Sequence, residues 1–504
     1  MKQKIILYHP KSNASGKCIL PMTLLSLGAV LENEFEYVIV DGNAERDPVR
    51  AMDELIAQHG FNLLGVTVMP GPQAVRAIEH TREIRARHPR VTTVWGGYFP
   101  SQHTDTVLTA PYVDYVIRSQ GELAFLDLVR TLERGGDVCA IQSLSYKRDA
   151  TTPALQRTQC GASVVHNPRR ELTTPENFPP FPYHRLDMPR YLTRNYMGNR
   201  VTEHHSSYGC PFACNFCAVV NMVNRRWLAQ SPARIEQTFR FLRDKFGADG
   251  INFHDMDFFV SEPRVAEFSD RVRDFGMRWW GLGRIDTLMH YSDATWEKMR
   301  ASGCKMIFSG AESGSDEVLK RMNKGGKAST HATIEFVKRA RAYGIVPELS
   351  FVLGNPPDPL ADIDASLEFI RELKRANPAT EFILYIYTPV PLDGMMYDEA
   401  KKLGFEFPKT LDEWTTPFWR EFVTRREART PWLNPEAQSR VRNFERVLNA
   451  YYPTVTDIHL TGLKRISLRA LASWRYNLKF YYAPHELRAF NRLFHYQRPE
   501  TSGF

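Results

Sequence analysis

A chain of 504 residues with a formal net charge of +8 is too long for one small domain, and two to four are expected. An apolar fraction of 43% with 12% aromatics supports substantial cores; the basic excess suits an anionic substrate or surface but is too diffuse to indicate nucleic acid alone. Seven cysteines, three of them in one loop, do not read as a disulfide framework. Cys18, Cys139, Cys160 and Cys304 are scattered and read as small buried residues. No apolar run reaches the ~18 residues of a spanning helix, and the opening apolar stretch is too short for a signal peptide. A reducing cytoplasm is the expected compartment.

From the start of the chain, short apolar runs alternate with helical patterns. Residues 5–8, 37–40, 63–68, 92–95 and 113–117 read as strands, with helices near 21–32, 48–59 and 74–87 and a further helix starting at Gly121-Glu122. This alternation predicts a doubly wound parallel sheet over 1–150, with ligands beyond the carboxyl ends of the strands. Gly42, Gly71, Gly96, Gly97 and Gly121 fall on those ends, where backbone turns sharply or approaches a ligand. By itself the pattern leaves a nucleotide, a flavin or no ligand open. Residues 151–200, with Pro175, Pro179, Pro180 and Pro182, have the composition of a linker.

The most informative segment follows. Cys210, Cys214 and Cys217 form a CxxxCxxC run with Phe216 just before the last thiol. Closely spaced thiolates suit iron–sulfur clusters or zinc. Three ligands on a cluster of about four irons would leave one iron open to a small molecule. Zinc would need a fourth ligand; no CxxC or HxxxH follows, but His204 and His205 lie just upstream and keep zinc open. Beyond the loop a second βα series covers 201–405, with strands at 250–254, 277–281, 305–309, 346–352 and 381–387 and helices such as 235–246 and 330–343. Polar residues at the strand ends suggest a full or partial barrel with chemistry at its carboxyl-end mouth, the alternative being a second doubly wound domain. Gly281-Leu282-Gly283-Arg284 begins like a dinucleotide fingerprint but lacks the third glycine.

On the cysteine loop and these strand ends the chain resembles the radical S-adenosylmethionine (SAM) enzymes. The resemblance implies a 4Fe–4S cluster on the three cysteines and SAM on the open iron, reductively cleaved to methionine and a 5′-deoxyadenosyl radical. It also implies a partial barrel of about six βα units. Carried over by position, Phe216 lies beside the adenine and Gly354 passes close to it. Glu312 and Ser313 meet the ribose and methionine part, Arg284 pairs with the methionine carboxylate, and Asp255 and Asp257 occupy the strand end that holds the amino group. Each also has a plain structural reading as a helix cap or ion pair.

The first domain, through the Pro21 loop, Val66-Thr67-Val68-Met69, Trp95-Gly96-Gly97 and Gly121-Glu122, resembles the cobalamin-binding domain that precedes many radical SAM domains. Thr67, Met69, Gly96, Gly97, Gly121 and Glu122 are the implied cobalamin contacts. The loop from His9 to Gly16 does not match the DxHxxG motif by which other cobalamin proteins bind cobalt, so cobalt without a protein histidine is expected. Asp457 to Gly462 fits DxHxxG by letter but stands in no βαβ context and is read as chance.

The last hundred residues, 406–504, lose the βα rhythm and read as a helical domain, with helices near 435–451 and 463–482. Eight basic residues and one acid between Lys464 and Arg498 interleave with aromatics. Such a helix either packs its aromatics against the barrel, the favoured reading, or lies on an anionic membrane. The combined expectation is an α/β chain: a cobalamin-binding domain, a radical SAM partial barrel and a helical C-terminal domain. The resemblance implies methylation of an unactivated carbon on a large lipid or tetrapyrrole substrate, with a reductant such as flavodoxin or ferredoxin and no nucleic acid. The alternatives are a cyclase like the anaerobic tetrapyrrole enzyme and a non-catalytic cobalamin or metal sensor.

Overall fold

The computed structural model describes all residues except 1, 13–17, 148–163, 325–327, 392–394, 426–427, 459 and 495–504. Cys160, the loop residues 13–16 and His459 of the DxHxxG match therefore lie outside the described residues. Of the other scattered cysteines only Cys304 is buried; Cys18 and Cys139 are half-buried. The chain forms two compact units. The first comprises Met1–Tyr191, Ala218–Ala229 and Glu406–Val423; the second comprises Leu192–Cys217, Gln230–Phe405 and Thr424–Phe504.

In the first unit, strands β1 (Lys4–His9), β2 (Glu36–Asp41), β3 (Leu63–Thr67), β4 (Thr92–Gly96) and β5 (Tyr115–Ile117) run parallel in the order β2-β1-β3-β4-β5. β6 (Leu144–Lys147) and β7 (Val164–His166) extend the sheet antiparallel. The strand order reverses at β1, so the crevice between the carboxyl ends of β1 and β3 is the switch point where such sheets take ligands. Both faces are covered, which is why the strands read as unbroken apolar runs. Ile5 and Leu7 enter a core with Leu24, Tyr37 and Phe125, while Ile6 and Tyr8 enter another with Met52, Trp95 and Phe99. The second core is completed by Leu411 and Trp414, with Phe407, Trp419 and Val423 packed on it, so residues 406–423 belong to this unit. The helix Pro48–His59 shows the local logic: Asp47 accepts from the Arg50 N–H, Pro48 opens the first turn, and Gly60 closes the last in the left-handed region at φ 71°.

In the second unit, β8 (Val201–His204) is followed by the short β9 (Ser207–Gly209); β10 (Trp227–Ala229) falls in the first unit. β11 (Gly250–Phe253), β12 (Arg278–Leu282), β13 (Cys304–Glu312), β14 (Val346–Leu353) and β15 (Glu381–Ile386) then pair in parallel and in consecutive order, with β8 beside β11. Helices connect β11 through β15, the topology of a partial (β/α) barrel. Phe239, Phe253, Phe258, Phe268 and Trp279 pack edge and face between helices and sheet.

A carboxyl group is also buried in this unit, on the other face of the sheet. Glu348, on β14, is 5% exposed, and its carboxyl is pushed well above the usual range by burial and by the neighbouring Glu381. A carboxyl whose folded pKa is raised stabilises the fold fully below the unfolded value of about 4.3, and that contribution is lost as pH rises through the folded value. Denaturation midpoints of the wild type should therefore fall between pH 5 and pH 8 more than those of Glu348→Gln, which cannot ionise.

The C-terminal helices are Pro435–Tyr451, Gly462–Asn477 and His485–Phe494. The expectation that their aromatics pack inward holds for one face only. Leu468, Ala472 and Tyr476 are buried, spaced by four residues. The opposite face of Gly462–Asn477, and the turn after it, expose Leu463, Ile466, Trp474, Leu478, Phe480 and Tyr482.

Candidate active site

The three cysteines follow β9, in a loop tied down on both sides. Upstream, the buried Asp255 accepts from the Ser206 N–H and from both the Ser206 and Ser207 hydroxyls. Downstream, the Asn215 N–H donates to the Met322 carbonyl at 3.0 Å, the Asn215 amide to Arg321 O at 2.9 Å, and the Asn323 amide to Ala213 O at 3.1 Å. None of the three is in a disulfide among the described residues. Burial and the nearby Asp257 push the Cys210 thiol up to about 12, so a cation must lower it before it can ligate as thiolate. The Cys214 sulfur already accepts an N–H from Arg284 Nη1 at 3.2 Å.

This donor set fits an iron–sulfur cluster: soft sulfur donors, one of them supported by a charged hydrogen-bond donor. For the zinc alternative, His204 is already engaged: its Nε2 lies 3.0 Å from the Gln230 side-chain oxygen.

Around the loop stand the carboxyl ends of β11 to β14. Asp257 is buried, accepts from the Phe259 N–H at 3.2 Å, and is raised to about 7, chiefly by burial and against the pull of Arg284. Glu312 ends β13 in the left-handed region at φ 67° and is ion-paired with Lys324 at 2.8 Å, both side chains 7% exposed. Gly310 leaves the room for this pair, since a Cβ there would fall 1.8 Å from Glu312 Oε1. The Ser313 hydroxyl donates to Asp362 Oδ1 at 2.6 Å. The other oxygen of Asp362 accepts from Gly354 N, Asn355 N and the Asn355 amide at 2.9–3.0 Å. One buried carboxylate thus joins the ends of β13 and β14. Phe216 packs on Met322, Tyr387 and Met396 with Val352 and Trp432, and the Trp432 indole donates to Gly354 O at 3.1 Å.

The structure therefore gathers Cys214 with Arg284 and Ser313 with Gly354, and it sets Asp255 behind the loop as its anchor. Asp362, Lys324, Ser206 and Ser207 complete this arrangement and are not among the sequence-predicted site residues. In sequence Asp362 is one acid in the first turn of the helix Pro359–Ala376, and only its partners distinguish it.

In the first unit the cobalamin candidates lie where β3, β4 and β5 end. Gly97, at φ 96°, places a would-be Cβ 3.2 Å from Thr67 Oγ1 and from the Val68 backbone, so position 97 stays without a side chain where β3 and β4 end. The Met69 N–H is held by Gln73 Oε1 at 2.6 Å. Gly96 closes β4, and Gly121 precedes the helix Glu122–Arg134. Glu122 accepts from the Ser26 hydroxyl at 2.6 Å with one oxygen, and its other oxygen is buried without a partner. Glycine at the strand end and an orphaned acceptor suit a large ligand with hydrogen-bond donors, as cobalamin is. His9 is occupied by Asp41 at 2.9 Å, which also accepts from the Tyr191 hydroxyl.

Comparison with known proteins agrees with both units. Residues 205–370 match the model of the radical SAM superfamily, and residues 13–129 match that of the B12 binding domain. An uncharacterized methyltransferase of Pyrococcus horikoshii is 26% identical over 379 residues, 73% of this chain and 78% of its own. An anaerobic magnesium-protoporphyrin IX monomethyl ester cyclase of Synechocystis is 25% identical over 69% of this chain and 68% of its own. Among solved structures, the radical SAM methyltransferase TsrM of Kitasatospora setae, with tryptophan and a SAM analogue bound, has the same fold: TM-score 0.66 at 17% identity, covering 98% of this chain and 99% of that one. With cysteine donors that suit a cluster and strand ends that suit a corrinoid, residues 205–370 belong to the radical SAM superfamily and residues 13–129 form a B12 binding domain, the two parts of a cobalamin-dependent radical SAM enzyme.

Proposed function

We propose that this enzyme methylates an unactivated carbon of a large, weakly polar substrate of the tetrapyrrole or polycyclic lipid class. The observation that carries the reading is the cysteine loop, anchored by Asp255 and backed by Arg284, in a chain that also holds a B12 binding domain. When bound, the cluster and SAM supply a carbon radical and cobalamin supplies the methyl group. The chain's own residues hold and orient these groups and exclude water. We assign the cobalamin-binding domain to 1–150, completed by 406–423, the linker to 151–200, the radical SAM barrel to 201–405 and the helical domain to 424–504. Cys210, Cys214 and Cys217 hold the cluster; Thr67, Met69, Gly96, Gly97, Gly121 and Glu122 line the corrinoid site. Phe216 and Gly354 flank the adenine, Glu312 and Ser313 meet the ribose and methionine part, and Asp257 stands by the amino group. An electron donor such as flavodoxin or ferredoxin is required.

The test is anaerobic reconstitution to about four irons per chain, followed by turnover with methyl-labelled SAM and candidate substrates. Label in the product together with 5′-deoxyadenosine supports methylation. Loss of substrate hydrogen without label favours the cyclase reading, which the Synechocystis relative keeps in view, and tightly bound zinc with no SAM cleavage removes both. Gly310→Ala is expected to push Glu312 off its pair with Lys324 and to weaken SAM binding about tenfold, some 1.4 kcal/mol, by equilibrium binding.

No described helix is long and apolar enough to cross a membrane. We propose instead a peripheral contact through the C-terminal face, where Leu463, Leu478 and Tyr482 are 81%, 73% and 77% exposed among Lys464, Arg469 and Lys479. The full chain should sediment with phosphatidylglycerol vesicles and not with phosphatidylcholine vesicles; failure to sediment with either rejects this contact.

A further inference from the structure

Arg284 occupies an unusual position for a residue expected to reach SAM. Its guanidinium side chain is 9% exposed and lies 3.8 Å from the centroid of the Phe212 ring, two positions after Cys210. Nε donates to Asp286 Oδ1 at 3.0 Å and Nη2 to Asp286 Oδ2 at 2.7 Å; Nη2 also donates to the Lys324 carbonyl at 2.6 Å, and Nη1 donates to Cys214 Sγ at 3.2 Å. A guanidinium has five N–H donors in a rigid fork, and these four bonds leave one. A two-pronged grip on a ligand carboxylate would have to break the Asp286 fork, whereas the bond to sulfur is built in. The fork and the ring contact fix the plane of the guanidinium, so the N–H aimed at sulfur is held in place before any ligand arrives.

We infer that Arg284 is a positioning residue that acts through Cys214 to set the reduction potential of the cluster. The inference rests on the cluster assignment proposed above. An N–H bonded to a ligating sulfur draws electron density from it, and a buried positive charge beside it favours the state with one more electron; both raise the potential. Asp286 works the other way. Its carboxylate neutralises part of that charge while keeping the guanidinium turned toward the loop. The two residues therefore have opposite expected signs, which a merely structural pair would not show.

The experiment is potentiometric titration, followed by electron paramagnetic resonance, of anaerobically reconstituted full-length wild type, Arg284→Gln and Asp286→Asn without SAM, with iron content and SAM affinity measured alongside. Arg284→Gln should move the midpoint to more negative potential by about a tenfold change in the reduced-to-oxidised ratio, ~59 mV for one electron. Asp286→Asn should move it to more positive potential. Both should retain about four irons. Unchanged midpoints with full iron and weakened SAM binding would overturn the inference and return Arg284 to the methionine carboxylate. If Arg284→Gln fails to assemble a cluster, the sign of the Asp286→Asn shift decides: positive supports the inference, and zero or negative overturns it. A wild type that assembles no cluster rejects the cluster assignment itself and this inference with it.

Discussion

Cys214→Ala is expected to abolish iron binding and SAM cleavage while leaving cobalamin binding and the fold intact. The reasoning begins with ligand count. The loop supplies three thiols, and among the described residues no histidine or carboxylate converges with them to replace a lost one. Two remaining thiolates cannot retain a cluster that needs three protein ligands. The fold should survive because the loop is fixed by Asp255, Arg321, Met322 and Asn323 rather than by the sulfur. The lost contacts are one N–H···S bond from Arg284, worth on the order of 1–2 kcal/mol for a charged donor, and one small buried side chain. Iron analysis should fall from about four per chain to near zero, with no 5′-deoxyadenosine released, and cobalamin should still be taken up with its visible spectrum. Retention of iron and SAM cleavage by this variant would defeat the cluster assignment.

The second large effect is predicted at Asp362. Its carboxylate accepts four hydrogen bonds, from Ser313, Gly354 and Asn355, at a site 3% exposed. Burial raises its pKa above the usual carboxylate value, and these hydrogen bonds pull it back. Asp362→Ala leaves the backbone N–H groups of Gly354 and Asn355 unpaired in the interior, while the Asn355 amide keeps only its bond to Val352 O. Each such group costs about 1–3 kcal/mol, and the costs do not add fully, so a loss of roughly 3–5 kcal/mol is expected. Because the same carboxylate holds the ends of β13 and β14 together, SAM affinity should fall with stability. Denaturation and equilibrium SAM binding measured on the same preparation check this. Unaltered binding in a destabilised Asp362→Ala variant would show that the strand ends do not form the SAM site.

Much of this architecture was legible in the sequence because its signals are local. The five parallel strands of the first unit appear as apolar runs buried on both faces, and their helices carry caps such as Asp47-Pro48 and Gly60. The cysteine loop is likewise contiguous. The pairings that complete the site are not. Ser313 and Asp362 are 49 residues apart, Cys214 and Arg284 are 70 apart, and no periodicity links them. The sequence places Arg284 at the site and pairs it with the methionine carboxylate, but a sequence shows a guanidinium without showing how many of its donors are already used. The C-terminal helix failed for a related reason: its buried stripe of Leu468, Ala472 and Tyr476 is narrow, and composition alone does not say which apolar face turns outward.

The assignment of residues 406–423 to the first unit has a consequence for biosynthesis. Leu411 and Trp414 cover Trp95 and Phe99, yet they leave the ribosome more than 200 residues after the sheet they complete. At about 5–20 residues per second, that is a delay of roughly 10–40 s during which the nascent sheet carries an uncovered aromatic flank. An isolated fragment ending near residue 150 would carry that flank permanently. Such a fragment should self-associate.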